Sequence, residues 1–237
     1  MGIHRAQAFA IPFENLDIHW GRPIRIDSES VFNKLVRSSR GGYCYELNGL
    51  LSMALRSMGF EVRTMAARNI RSGEPYRQKS HQLLEVMLNG RPWIADLGFG
   101  GMGLIEAAPF EIGTEFEQGI DRFRFVEDPQ FGYALQTWFD GAWVGLYGFT
   151  LETYYRLDFE MMNYFNSNHP ESTFLQRRMA ALPSAEGRTT LAGNELRIRT
   201  RAGVQCIEVP EGETPKVLWE RFGIETPSTV SDSRRIL

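Results

Sequence analysis

Apolar positions recur at helical spacing twice in the first quarter of the chain. Val31, Phe32, Leu35 and Val36 share a face behind a polar cap at 27–30. After a break at Arg40-Gly41-Gly42, a second stripe starts near Cys44 and runs through Leu47, Leu50, Leu51, Ala54, Leu55 and Met58 to a stop at Gly59. Beyond Gly59 the period drops to two. Residues 60–67, 81–88 and 91–97 read as strands, the last two joined by Asn89-Gly90, a dipeptide suited to a two-residue hairpin because both positions tolerate positive φ. Residues 133–139 and 142–149 form a second hairpin at Asp140-Gly141 that sets Trp138 opposite Trp143 for packing. Phe123 and Phe125 alternate with Arg122 and Arg124 in another strand, so the middle of the chain is expected to be an antiparallel sheet curled into a barrel. Helical spacing returns at 158–166, where either Phe159, Met162 and Phe165 or Met161 and Tyr164 can line one side before His169-Pro170 ends it. A short further segment at 177–182 follows. Strands at 195–200 and 204–209 turn at 201–203, a short helix lies near 217–222, and 228–237 reads as a loose tail.

Composition narrows the class. Of 237 residues, 43% are hydrophobic and 23% charged, enough for a sizeable core. The 23 Gly and 11 Pro exclude a long coiled coil, and 16 Phe, 8 Tyr and 5 Trp exclude a disordered chain. Lys and Arg total 26 against 29 Asp and Glu, a net charge of −3 that gives no bulk electrostatic reason to expect nucleic acid. No apolar run nears the roughly 18 residues of a membrane helix, and Met1 to Arg5 lack a secretory pattern, so a cytoplasmic protein without a membrane partner is expected. The two cysteines, Cys44 and Cys206, lie in unrelated contexts and are expected as free thiols in a reducing compartment, with Cys206 packed inside its strand.

Candidate chemistry begins at Cys44. A thiol after a glycine pair and at the opening of a helix meets orphan backbone amides and the positive helix end, which favour thiolate over thiol; a buried structural cysteine is the plain alternative. A thiol nucleophile needs a base, and the four histidines are His4, His19, His81 and His169. The two-residue turn at Asn89-Gly90 sets Leu88 opposite Arg91, and counting back sets Leu83 opposite Asp96 and His81 opposite Gly98. His81 and Asp96 then share a face as diagonal neighbours, within side-chain reach. Asp96, between Ile94 and Leu97, would be a costly carboxylate without a partner. Asp96 would fix the imidazole tautomer and leave the other nitrogen to take the Cys44 proton. Gly98 to Gly103 match a dinucleotide-loop spacing, but their strand closes an antiparallel hairpin and 104–109 leave no room for a crossover helix. His4 and His19 sit far from any clustered acid or thiol, so no zinc set is expected. Tyr43, Phe99, Phe131 and Phe165 are open between aromatic walls and core.

Taken in order, Ile11-Pro12-Phe13-Glu14-Asn15-Leu16-Asp17, Arg40-Gly41-Gly42-Tyr43-Cys44-Tyr45-Glu46-Leu47-Asn48-Gly49, the His81 strand, Asp96-Leu97-Gly98-Phe99-Gly100 and Ser167-Asn168-His169-Pro170 resemble the arylamine N-acetyltransferase family over nearly the whole chain. The resemblance implies an α+β fold of helical bundle (1–59), antiparallel β-barrel (60–150) and α/β lid (151–237) around a Cys-His-Asp core like that of papain and transglutaminases. It implies Cys44 as acetylated nucleophile, His81 as base and acid, and Asp96 as orienting carboxylate. Glu14 and Arg40 would support the site as an ion pair. Phe99 and Gly100 would lie near the acyl donor, and His169 would either cap its helix or approach the coenzyme. The implied reaction is ping-pong transfer from acetyl coenzyme A to an arylamine or arylhydrazine, with no permanently bound cofactor. Two rivals share the scaffold: an amide synthase that closes a macrolactam from a polyketide thioester and an aromatic amine, and a noncatalytic binding module. Only ten residues precede Ile11, where family members carry further helix. On that reading the apolar side chains of 11–16 lose neighbours, stability falls and a homo-oligomer is favoured.

Overall fold

The computed structural model describes residues 2–71 and 78–227; the tail at 228–237 lies outside the described residues. The first elements are α1 (Gly2–Ala10), the two-residue strand β1 (Phe13–Glu14), α2 (Leu16–His19), α3 (Ser28–Phe32) and α4 (Cys44–Ser57). Asp27 caps α3 by accepting from the Ser30 amide at 2.9 Å, and the helix widens into a π turn over Asn33–Arg37. Gly59, at φ 86°, turns the chain after α4.

Eight strands follow: β2 (Glu61–Asn69), β3 (His81–Leu88), β4 (Arg91–Ala95), β5 (Ala108–Pro109), β6 (Glu115–Gln118), β7 (Asp121–Asp128), β8 (Gly132–Phe139) and β9 (Ala142–Phe149). They form one antiparallel sheet in the order β5-β4-β3-β2-β9-β8-β7-β6. Both hairpin turns carry positive φ at the positions the sequence marks, Asn89 and Gly90, then Asp140 and Gly141. The sheet curls around Met65, Leu83, Ile94, Phe123, Phe125, Leu135 and Tyr147, all buried. It does not close as the expected barrel: among the described residues no ladder joins β5 to β6, and the approach is a single bridge from Ile112 to Phe125. The result is a half-barrel. Trp138 does face Trp143, but on the exposed side, where Arg122 and Arg124 lie over the indoles; the pair is a cation–π ladder rather than packing alone.

The last third holds α5 (Arg156–Asn168), α6 (Thr173–Gln176), β10 (Met179–Pro183), β11 (Gly187–Ala192), β12 (Glu195–Thr200), β13 (Gly203–Glu208) and α7 (Thr214–Phe222). Its sheet runs β1-β10-β11-β12-β13, so the strand at residues 13–14 pairs with residues 180–181 from the far end of the chain. On α5 the buried face is that of Phe159 and Met162, leaving Met161 and Tyr164 exposed. Cys206 is exposed, contrary to the expectation that it packs inside. Its strand is the sheet edge, and the alternation turns Ile207, not Cys206, toward the core beneath α7. Phe13 and Leu16 are buried, Leu16 among Ala180, Leu191 and Leu218, so the expected loss of neighbours across 11–16 is not seen at either side chain. Among the described residues no helix is long and apolar enough to cross a membrane.

Asn15 fastens the amino-terminal segment to this second sheet. Its side-chain amide donates to the carbonyls of Phe174 and Arg177, both at 2.9 Å, and its oxygen accepts from the Met179 amide at 2.7 Å. Replacing Asn15 with Ala takes a partner from three part-buried backbone groups, of which the Phe174 carbonyl keeps His19, and is expected to cost about 1–3 kcal/mol in urea unfolding. A loss under about 1 kcal/mol would show that water or local rearrangement satisfies them.

Candidate active site

Cys44 is the first residue of α4, preceded by Tyr43 in extended conformation. The Tyr43 amide donates to Glu46 Oε2 at 3.0 Å, which fixes the entry of the chain into the helix. Two glycines permit this approach. A Cβ at Gly98 would lie 2.4 Å from Cys44 Cα, and one at Gly42 would lie 2.8 Å from Glu46 Cβ, so neither position accepts a side chain without displacing the helix start.

Facing Cys44 is the hairpin of β3 and β4. The last pair on the active-site side is Leu84 with Ala95, so Asp96 lies one residue past the ladder and is free to bend toward His81. His81 Nε2 meets Asp96 Oδ2 at 2.8 Å. Asp96 Oδ1 accepts from Asn48 Nδ2 at 2.9 Å and from the Gly98 amide at 2.8 Å, so both carboxylate oxygens are satisfied in a fully buried position. With Nε2 engaged, His81 presents Nδ1, and the neighbouring Cys44 favours the charged form of the ring. The Cys44 sulfur also lies 3.8 Å from the Ser80 carbonyl oxygen.

Electrostatics follow from burial and pairing. Burial pushes the His81 pKa down, but the Asp96 charge, its hydrogen bond and the contact with Cys44 outweigh this and carry it from 6.5 up to about 10. Burial pushes the Asp96 carboxyl up, and the His81 charge with the Asn48 and Gly98 hydrogen bonds brings it below the ordinary value. The imidazole is wedged between Phe99 and Tyr147, with ring centroids at 5.3 and 5.0 Å. Tyr147 feels the Asp96 charge, yet its hydroxyl makes no hydrogen bond of ordinary geometry among the described residues.

Two supporting residues escape a reading of the sequence for chemistry. Asn48, one turn after Cys44 on α4, binds Asp96, the Gln82 carbonyl at 2.6 Å and the Leu97 amide at 2.8 Å. Its signal was there: a lone amide in an apolar helix at the same face as the thiol. His4, on α1, accepts from the Asp96 backbone amide at 3.1 Å through Nε2, which places its own proton on Nδ1; burial lowers its pKa to about 4, so the ring is neutral. Nothing local to His4 marks this role.

Beneath the site lies a chain of buried charges. Arg40 binds Glu14 at 2.5 Å and Asp17 at 3.2 Å, and Lys34 binds Asp17 and Glu46, both at 2.7 Å. Glu14 also accepts from the Leu16 amide at 2.7 Å. Glu14 and Arg40 are thus ion-paired, within a larger network that reaches the Glu46 cap of the Cys44 helix. Burial raises the Glu46 carboxyl to about 7 against the opposing pull of Lys34.

Cys44, His81, Phe99, Gly100 and Phe165 line one cleft of about 1080 Å³ between the two sheets. His169 is not in its wall: it caps α5, stacks on Phe165 at 4.3 Å and accepts from the Glu171 amide. Tyr43 is fully buried and Phe131 packs over Gly148, so neither forms a wall of the cleft. The family model described as N-acetyltransferase matches residues 1–230. The chain belongs to the arylamine N-acetyltransferase family. The arylamine N-acetyltransferase of Mycobacterium tuberculosis is 33% identical over 221 residues, 90% of this chain and 78% of that one. The arylamine N-acetyltransferase / N-hydroxyarylamine O-acetyltransferase of Salmonella typhimurium is 34% identical over 229 residues, 94% of this chain and 80% of that one. The Mycobacterium marinum arylamine N-acetyltransferase solved in complex with CoA matches with a TM-score of 0.90 and 34% identity, covering 94% of this chain and 84% of that one.

The raised His81 pKa has a measurable sign. Its contribution to stability is complete below the unfolded value of 6.5 and is lost as pH rises through about 10. Unfolding free energy measured across that window should therefore fall more steeply in the wild type than in His81→Gln. Equal slopes would show that the ring is not held charged in the folded state.

Proposed function

We propose that this protein transfers an acetyl group from acetyl coenzyme A to an arylamine or arylhydrazine by a ping-pong route through acetyl-Cys44, with Cys44, His81 and Asp96 as the catalytic set. The observation that carries this is a thiol at an open helix start beside a buried, hydrogen-bonded imidazole–carboxylate pair, all on one cleft. Membership of the arylamine N-acetyltransferase family supports the substrates, as does the CoA complex of the Mycobacterium marinum relative.

In this route His81, stabilised by Asp96, takes the thiol proton and frees the Cys44 sulfur as nucleophile. The sulfur attacks the thioester carbonyl, a new C–S bond forms, and the developing oxyanion is met by backbone amides at the open first turn of α4. The bond to the coenzyme sulfur then breaks, and the leaving thiolate takes the proton from His81. A neutral arylamine attacks acetyl-Cys44 in turn; the amide bond forms, the Cys44 thiolate leaves, and neutral His81 accepts the amine proton. Asp96 remains ionised throughout and fixes the ring. Phe99 and Gly100, in the cleft wall beside His81, flank the acyl donor, whereas His169 acts only through its stack on Phe165. Glu14 and Arg40 are positioning residues that hold the helix start.

Brief incubation with acetyl coenzyme A followed by intact-protein mass spectrometry should add one acetyl group, discharged by a following arylamine. Cys44→Ala is expected to abolish the adduct and Cys206→Ala to retain it. An adduct that survives Cys44→Ala would remove Cys44 from the mechanism.

A further inference from the structure

The wall of the cleft opposite His81 carries more positive charge than its neighbours neutralise. On the second sheet Arg188 is directly opposite Arg199, and Arg197 follows Arg199 on the same face. Like charges in cross-strand register repel unless something lies between them. Here one carboxylate does: Asp121, reaching over from β7, binds Arg188 Nε at 2.6 Å and Arg199 Nη2 at 2.5 Å. Two guanidinium groups thus share a single charge in a nearly dry setting. Arg188 is tied further, by a bond of 2.5 Å to the Gly103 carbonyl. Arg71 comes to the same wall from the end of β2; burial lowers its pKa, and the charges of Arg197 and Arg199 lower it more. Acids do reach this region, since Glu195 binds Arg197 at 2.9 Å on the surface and Glu171 lines the cleft. Among the described residues they leave an excess of cations: Arg71, Arg177, Arg188, Arg197 and Arg199 against Glu171, Glu195 and Asp121.

The path from the thiol to this cluster is set by one stretch of backbone. Gly98 lies against Cys44, and Gly103 lies against Arg188. Five residues of chain span at most roughly 17 Å, a separation that the pantetheine arm of a coenzyme A thioester can bridge. The arginine wall thus lies within reach of the phosphates of a donor whose acyl carbon sits at Cys44.

We propose that Arg71, Arg197 and Arg199, braced by Arg188 and Asp121, form an anion site that binds the phosphates of the coenzyme A thioester at the far end of the cleft. The inference rests on the acyl-transfer reading above for its ligand, and its test does not depend on turnover. Arg71 and Arg197 are the residues to change, because Arg188 and Arg199 hold buried Asp121 and their loss would disturb the junction of the sheets. Binding of coenzyme A and of pantetheine, which has the same thiol arm and no phosphate, is measured by titration calorimetry in the wild type and in R71Q/R197Q. The expected result is a loss of at least about tenfold in affinity for coenzyme A in the variant, with pantetheine bound equally by both proteins. Wild-type affinity for coenzyme A should also fall with added salt while that for pantetheine does not. Unchanged coenzyme A affinity in the variant would overturn the proposal, as would an equal loss for both ligands. So would a defect confined to arylamines that bear a carboxylate, which would assign the cluster to the acceptor. Wild-type protein that binds coenzyme A through these arginines yet never acetylates an arylamine would overturn the acyl-transfer reading and leave the anion site standing.

Discussion

The passage of the Cys44 helix over the corner at Asp96 to Gly98 is the constraint on which the site depends. The two backbones meet so closely that Gly98 has no space for a methyl group, and that closeness brings Asn48 within reach of three partners at once. A shift of the helix by one ångström would take the Asn48 partner from the Gln82 carbonyl and the Leu97 amide and loosen the hold on the Asp96 carboxylate, each buried group left unpaired costing about 1–3 kcal/mol. The thiol and the histidine come from elements that share no sequence neighbourhood, and they are indexed to one another by that one amide side chain. His4 adds a second brace on the backbone of Asp96 from the opposite direction.

Two sheets divide the remaining work. The half-barrel supplies the imidazole, its carboxylate and the aromatic wedge of Phe99 and Tyr147 that holds the ring still. The five-stranded sheet supplies the facing wall, and the gap between them is the cleft. Its width is fixed at one end by a polar contact between the sheets, Asp121 of β7 with Arg188 and Arg199. Apolar packing supplies most of the stability in such a fold, but it is non-directional. These few directed bonds set the spacing.

Much of the site was legible because it follows from local rules. Asn89-Gly90 dictates a turn, the turn dictates register, and register places Asp96 beside His81. The glycine-flanked start of α4 is likewise written in adjacent residues. The segment at 177–182 was harder to place. It holds a central strand whose Ala180 and Ala181 are buried on opposite faces, in two different cores, so the alternation that identifies a strand is absent. Closure of the half-barrel was overread, since hairpin patterns say which strands pair and not whether the outermost two meet. His4, Asp121 and Arg188 act across separations of 92 and 67 residues, and no periodicity carries that information.

The buried charges under the helix start, Glu14, Asp17 and Glu46 against Lys34 and Arg40, contain one more acid than base. Glu46 eases the excess: with its carboxyl raised from 4.5 to about 7, it holds a proton near pH 6. Near pH 6 an unfolded chain has released that proton, so folding draws one back at this carboxyl, while His4, its pKa lowered from 6.5 to about 4, gives one up. The buffer then becomes a participant: the apparent heat of folding near pH 6 includes the heat of ionising whatever molecule donates the proton. Calorimetric enthalpies compared in phosphate and in imidazole, for the wild type and for Glu46→Gln, separate that exchange at Glu46 from the one at His4.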